Sequence, residues 1–202
     1  GPMGRISKYH TDLLNGAMSS MTKRIPLITG KEDVAVENHG LFDQVAAGHA
    51  GNIIGPYCAL MHSPDLASRV TDTAEYIRFQ TSLPQHVNKL AVLTAARELD
   101  CQWAWTIHQP LAEENGVREE AVIAIRDNTY PVGLTNDEAL VVTYVQELLR
   151  NKRVSAPTFD AALKKFGIQK LVELTGIIGH YGLLACILNA FEIEPANPLL
   201  PV

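Results

Sequence analysis

The stretch that decides the fold is 88–117, which reads NKLAVLTAARELDCQWAWTIHQPLAEENGV. Its first part is apolar nearly all round, as in a helix buried at the centre of a helical protein. Asp100 belongs to the residue types that cap helix starts, and Gly116 to the type that ends helices. The stretch therefore predicts a central helix followed by a second helix that runs past His108.

Helical periodicity dominates the rest of the chain as well, and clean strand alternation is absent. Ser63-Pro64 has the residue types of a helix start, followed by apolar residues that share one helix face (Leu66, Val70, Ala74, Ile77). Thr135 precedes two acidic residues at the start of an amphipathic helix. Further helical segments are predicted over 31–50, 118–127, 136–152, 155–167 and 169–193. The sequence thus predicts an all-α protein with about eight to ten helices.

The composition is that of a folded globular chain, since 47% of the 202 residues are hydrophobic and 19% are charged. Gly1-Pro2 before Met3 resembles a protease-cleavage scar, so 3–202 is expected to form a single domain. The net charge of −5 argues against a nucleic-acid partner, because phosphate binding needs a basic face.

The chain shows no signal peptide and no run of about 18 apolar residues free of polar interruption. We therefore expect neither secretion nor a membrane partner. The three cysteines, Cys58, Cys101 and Cys186, are odd in number and widely spaced, which fits a reducing compartment better than a disulfide framework. A cytoplasmic location is expected.

Cys101, Trp105 and His108 are spaced at i, i+4 and i+7, so they share one helix face. If Asp100 is the N-cap, Cys101 lies in the first turn, where the helix dipole favours a thiolate. Thiol and imidazole are then roughly 10 Å apart along the axis, too far for a direct Cys–His pair. One helix offers at most two metal ligands at this spacing, so no metal is expected. An acid–base pocket wall and an ordinary core with satisfied polar groups both remain open.

Three stretches of the chain, 55–84, 88–117 and 171–195, resemble the carboxymuconolactone decarboxylase family, which shares its fold with the alkylhydroperoxidase D-like proteins. Together they cover roughly 50–195 in unbroken order, and they include the helix with aromatic residues before His108 and the closing Asn-Ala-Phe segment. The resemblance implies an alkylhydroperoxidase D-like helical bundle. It also implies a homo-oligomer, a dimer, trimer or hexamer, that needs no cofactor.

Two positions depart from the family pattern. Redox members carry a CxxC motif, but here Cys101 is followed by Ala104 where the second cysteine would stand, which disfavours disulfide chemistry. Decarboxylase-like members often carry a glutamate at the position of Ala104 and another at the position of Lys89. Of the usual polar set, His108 is retained.

The resemblance implies that His108 is the acid–base group of a pocket for a small carboxylated or lactone-type substrate. Decarboxylation leaves an enolate-like carbanion that must be stabilised and protonated, and a histidine can donate that proton. Lys89 is predicted to be a pocket cation or an amine nucleophile, with a solvated surface position as the alternative. His180 is predicted to be a second acid–base group, with hydrogen-bonded core as the alternative. The predicted substrate-binding residues are Cys101, Trp105, Tyr181, Asn189 and Tyr57.

Three functions follow as hypotheses. The first is a cofactor-independent decarboxylase, lyase or related isomerase, the second a thiol-dependent hydroperoxide reductase that uses Cys101, and the third a non-catalytic ligand-binding protein. His62 is expected to cap a turn, Glu98 to lie on the surface, and the remaining histidines, at positions 10, 39, 49 and 86, are assigned no role.

Overall fold

The computed structural model describes residues 24–201, and this part of the chain is helical without strands. Two 3-10 turns, Lys31–Asp33 and Val36–Asn38, come first. The α-helices of the described residues are α1 (His39–Ala47), α2 (Tyr57–Leu60), α3 (Pro64–Phe79), α4 (Gln85–Glu98), α5 (Gln102–Glu114), α6 (Glu119–Arg126), α7 (Asn136–Asn151) and α8 (Ala156–Ala190). The predicted all-α class is confirmed. The proposed scar at Gly1-Pro2, together with His10, lies outside the described residues.

Helix α4 is the centre of the fold. Residues 87–96 are all buried, and the helix packs most extensively against α5, α7 and α8. Two of its buried polar side chains bond to backbone carbonyls, Asn88 to Ile77 at 2.8 Å and Thr94 to Leu90 at 2.7 Å. These bonds offset the cost of burying an amide and a hydroxyl. The predicted central helix is confirmed.

Helix starts follow the predicted residue types in two cases. The Thr135 hydroxyl accepts from the Glu138 N–H at 3.2 Å, and the Glu138 carboxylate accepts from the Thr135 N–H at 3.2 Å, so the two residues form a capping box. Ser63 is the N-cap of α3 with Pro64 next to it, although its side chain makes no capping bond. On the predicted apolar face of α3, Val70, Ala74 and Ile77 are buried, whereas Leu66 at its beginning is 45% exposed.

Helix α5 begins differently from the prediction. Asp100 has a φ of 47° and turns the chain between α4 and α5, so Cys101, with an extended φ of −94°, is the N-cap. The Cys101 N–H donates to the Ala96 carbonyl at 2.9 Å and ties the start of α5 to the end of α4. Cys101 therefore precedes the first helical turn.

Helix α8 bends at Gly167, whose φ of 76° is left-handed, so the segments predicted over 155–167 and 169–193 are two helical pieces joined at an angle. Beyond the bend, residues at helical spacing face the core (Leu171, Leu174, Ile178, Tyr181, Ala185, Leu188). By length and composition alone α8 could cross a membrane, with a window of mean hydropathy 1.7. Half of that window is buried inside the protein.

Candidate active site

A pocket with a volume of about 90 Å³ lies between α5, α8 and the chain that leads from α1 into α3. Most of its wall is apolar. The polar side chains that line it are His49, Tyr57, Arg78, His108, His180 and Tyr181, and no aspartate or glutamate is among the lining residues. The pocket therefore combines one fixed positive charge with imidazole and phenol groups in an apolar setting.

Helix α5 forms one wall with side chains at positions 103, 104, 107, 108 and 111, and α8 forms the facing wall with positions 180, 181, 184 and 188. Gly55, between the lining residues Ile54 and Pro56, has a positive φ of 52°. A β-carbon on Gly55 would lie 2.6 Å from Nε1 of Trp103, so the backbone reaches the Trp103 ring only because the residue is glycine. Trp103 is thereby held against the pocket.

His108 and two predicted partners meet in this pocket. The half-buried His108 ring lies edge-on to the Tyr181 ring, with centroids 5.1 Å apart and planes at 88°. The His180 ring approaches Tyr181 at 5.3 Å with planes at 89°. Edge-to-face contacts of this kind are favourable between aromatic rings. The tertiary structure therefore brings together His108, His180 and Tyr181, and Tyr57 lines the same cavity.

Burial and charge decide which protonation states these groups hold. Burial, and then the positive charge of Arg78, lowers the pKa of His180 to about 4, so its imidazole is neutral at pH 7. Burial raises the pKa of Tyr181 above its usual value, and it raises the pKa of Tyr57 to about 12. Both phenols therefore keep their protons at neutral pH. The neutral His180 ring can therefore accept a proton or a hydrogen bond at pH 7, but it holds no imidazolium proton to give up as an acid.

The predicted pocket cation is not Lys89. Lys89 is buried in α4 and is not among the residues that line the pocket. Burial, followed by the charge of Arg78, lowers its pKa to about 8. The alternative of a solvated surface lysine is also wrong, since Lys89 is only 6% exposed. Arg78, at the end of α3, supplies the positive charge of the wall instead.

Three predicted substrate-binding residues lie elsewhere. Cys101 and Trp105 are completely buried in the core, where the Trp105 indole N–H donates to Gln109 at 2.9 Å. The Asn189 amide donates to the Leu99 carbonyl at 2.9 Å and joins α8 to the end of α4. The α5 face that carries positions 101 and 105 turns into the core, and the neighbouring stripe with Trp103 and His108 faces the pocket.

Two polar residues of the pocket, Arg78 and His49, are not predicted by the sequence to be site residues. The His49 Nδ1 lies 2.7 Å from the Val45 carbonyl, so Nδ1 carries the proton and Nε2 presents a lone pair. Among the described residues, the buried Nε2 has no hydrogen-bond partner. Burial, then Arg78, lowers the pKa of His49 to about 4, and its ring lies 4.0 Å from that of Tyr57. No local motif marks either residue.

The thiol of Cys101 is shielded rather than activated. N–H groups at the start of α5 favour the thiolate, but burial is the larger effect and raises the pKa of Cys101 to about 11. Burial likewise raises the pKa of Cys58 to about 12. The predicted activation of Cys101 by the helix dipole is therefore wrong. Within residues 24–201 the three cysteines are free, and no group of three or more His, Cys, Asp or Glu residues is arranged to hold a metal ion.

Alkylation should follow exposure of the thiols. In the folded protein at about pH 8, iodoacetamide is expected to modify Cys186, which is exposed, long before Cys101 or Cys58, because a buried thiol with a raised pKa is rarely a thiolate. Mass spectrometry of peptides after timed labelling measures this order, and labelling in urea provides the control. Equal labelling rates for Cys101 and Cys186 in the folded chain would contradict it.

A model of the carboxymuconolactone decarboxylase family matches residues 64–147. The matched segment contains Arg78 and His108, whereas His49, Tyr57 and His180 lie outside it. No curated protein and no solved structure matches the chain. The match over residues 64–147 agrees with the resemblance to the carboxymuconolactone decarboxylase family that the sequence shows.

Proposed function

We propose that this protein is a cofactor-independent lyase, of the decarboxylase type or a related isomerase, that acts on a small carboxylated or lactone-type molecule. The observation that supports this is the half-buried His108 on the wall of a mostly apolar pocket, edge-on to Tyr181. The family match over residues 64–147 supports the same class of chemistry. His108 is the proposed catalytic residue.

Decarboxylation would use the pocket as follows. The bond between carbon and carboxylate breaks, carbon dioxide leaves, and the electron pair remains on the substrate as an enolate. A protonated His108 then donates its proton to the carbanion carbon and becomes neutral. The Tyr57 and Tyr181 phenols, which stay protonated because burial raises their pKa, can donate hydrogen bonds to the enolate oxygen.

The second candidate is a non-catalytic ligand-binding protein. It is favoured by the lack of aspartate and glutamate among the lining residues, where the family resemblance leads one to expect a glutamate at the position of Ala104. A pocket without those carboxylates can still bind a small molecule. Binding of a substrate-like molecule without turnover would favour this candidate over the lyase.

The lyase is tested with carboxylated lactones and β-keto acids, by following carbon dioxide release and product mass. Changing His108 to alanine is expected to lower kcat/KM about 100-fold, because general acid–base catalysis contributes at least this much in many enzymes. The matched control is His86→Ala, an exposed histidine on α4 that does not line this pocket, which should keep full turnover.

Two outcomes would contradict the lyase. One is turnover that is the same in His108→Ala and in the wild type. The other is peroxide consumption that depends on Cys101, which would favour the thiol-dependent reductase instead. Binding assays with the same panel separate a lyase from a ligand-binding protein.

The expected homo-oligomer and cytoplasmic location also belong to this proposal. Exposed apolar side chains on α8 support association of subunits, since Ile168 is 75% and Val172 is 65% exposed. Three cysteines without a disulfide within residues 24–201 support an intracellular location. The number of subunits stays a prediction.

A further inference from the structure

Arg78 places a positive charge in a pocket whose lining residues include no carboxylate. Across residues 24–201, no Asp or Glu oxygen lies within 4.0 Å of the Arg78 guanidinium. Four other polar side chains of the pocket are uncharged at pH 7, because burial shifts their pKa values: His49, Tyr57, His180 and Tyr181. A half-buried cation with apolar surroundings and no internal counterion is well suited to an anionic ligand.

The position of Arg78 is fixed by the backbone. Its Nη2 donates to the Gly48 carbonyl at 3.0 Å, and its Nε donates to the Ala74 carbonyl at 3.4 Å. A guanidinium has five N–H donors in a rigid fork, so these two bonds orient the group and leave the Nη1 donors for another acceptor. The side chain is thus held ready to bind without having to be ordered first.

The field of Arg78 reaches the rest of the pocket. Its charge is one of the causes that lower the pKa of His49 and of His180, which both line the cavity. It also acts to lower the pKa of the Tyr57 and Tyr181 phenols, although burial outweighs it there. A negative group bound at Arg78 would therefore interact with these four side chains as well.

We propose that Arg78 is the specificity-determining residue of the pocket, and that it binds the single carboxylate of a small, otherwise apolar ligand. The unpartnered Nε2 of His49 accepts a hydrogen bond from a hydroxyl or enol of the same ligand. The apolar part of the ligand packs between Ile107 and Leu184 and reaches His108. Among the described residues that line the pocket, Arg78 is the only arginine or lysine, so a second carboxylate would find no second permanent cation and the site selects monoanions.

This inference rests on the proposed function for the choice of pocket, but binding can be measured without turnover. The probe is 2-furoate, a five-membered oxygen heterocycle with one carboxylate. Its neutral amide, 2-furamide, and the dianion furan-2,5-dicarboxylate are the comparison ligands. Calorimetric titration at about pH 7 is expected to show that 2-furoate binds at least about tenfold more tightly than 2-furamide and no less tightly than the dianion.

Variants locate the binding to Arg78. Arg78→Gln should weaken 2-furoate binding by about 10- to 100-fold, the effect of losing one hydrogen bond to a charged group. Arg78→Lys should bind with intermediate affinity, because it keeps the charge and loses the fork. The matched control is Arg69→Gln, an exposed arginine on the same helix that pairs with Asp65, which should bind as the wild type does.

Arg78 also bonds to the Gly48 carbonyl, so thermal unfolding of each variant must accompany its titration. The preference for 2-furoate over 2-furamide is measured on the wild type and depends on no variant. Wild-type protein that binds the amide as tightly as the carboxylate, or that binds neither, overturns the proposal, and so does a dianion that binds most tightly.

The two proposals can fail separately. In His108→Ala, 2-furoate binding should persist, because His108 is not its counterion. The protein could bind 2-furoate through Arg78 and yet turn over no carboxylated lactone or β-keto acid. That result would support the carboxylate site and contradict the proposed lyase activity. Turnover of neutral lactones without any preference for carboxylates would support the lyase activity and contradict the carboxylate site.

Discussion

Replacing Trp105 with alanine is expected to lower the free energy of unfolding by about 3–5 kcal/mol, the usual cost of truncating a buried aromatic side chain. The Trp105 side chain is completely buried in α5, beside the central helix α4. Alanine would remove nearly all of its contacts, and the closely packed surroundings can fill the space only in part. Urea unfolding followed by circular dichroism measures the change.

The control for this prediction is Trp105→Phe, which keeps most of the buried volume and loses the hydrogen bond to Gln109. It is expected to cost about 1 kcal/mol. A loss below about 1 kcal/mol in Trp105→Ala would contradict the burial of this side chain in the core.

Acid should destabilise the protein through His49 and His180. Both have a pKa of about 4 in the folded state against 6.5 for the unperturbed side chain, because burial and the charge of Arg78 disfavour the imidazolium. Between pH 6.5 and 4 the unfolded chain binds a proton at each site and the folded chain does not. Stability is therefore fully present above pH 6.5 and is lost as the pH falls towards 4, by about 3 kcal/mol per histidine.

Urea unfolding at a series of pH values from about 7 to about 4 measures this loss. His49→Gln and His180→Gln should each remove about 3 kcal/mol of this loss, because each variant lacks one of the two buried histidines. The control is His86→Gln, an exposed histidine, which should leave the dependence as it is in the wild type. Wild-type stability that is constant over the range would contradict the prediction.

Helices and their starts were the features that the sequence predicted best. The apolar run of α4 and the capping box of Thr135 and Glu138 involve residues within one or two turns of each other, so their patterns can be read locally. The start of α5 was off by one residue because the left-handed turn at Asp100 cannot be told from an N-cap by residue type.

The candidate site was predicted in part. The family resemblance indicates His108, and His180, Tyr181 and Tyr57 were predicted to be further site residues. All four line one pocket, and their roles stay predictions. The sequence does not indicate that Arg78 lines a pocket, because a basic residue in the last turn of a helix is ordinarily solvated and favoured by the helix dipole. Lys89 was chosen in its place from its position in the family pattern.

At Cys101, the effect of the helix start on the thiol pKa is smaller than the effect of burial. The helix start does favour its thiolate, as the sequence predicted, but complete burial raises its pKa to about 11. The extent of burial depends on how α5 packs against the rest of the fold, which no residue near Cys101 reveals. The sequence therefore predicts correctly that the helix start lowers the pKa of Cys101. Burial in the tertiary structure raises that pKa by a larger amount.

By itself, the sequence determined the all-α class, the position of its central helix and the resemblance that singles out His108, because these depend on residue types at short spacing. Only the tertiary structure decided that Arg78 and His49 join His108 around one pocket, and that Cys101, Trp105 and Lys89 are buried away from it. The reason is physical: burial and Coulomb interactions depend on distances in space between helices that lie far apart in the chain.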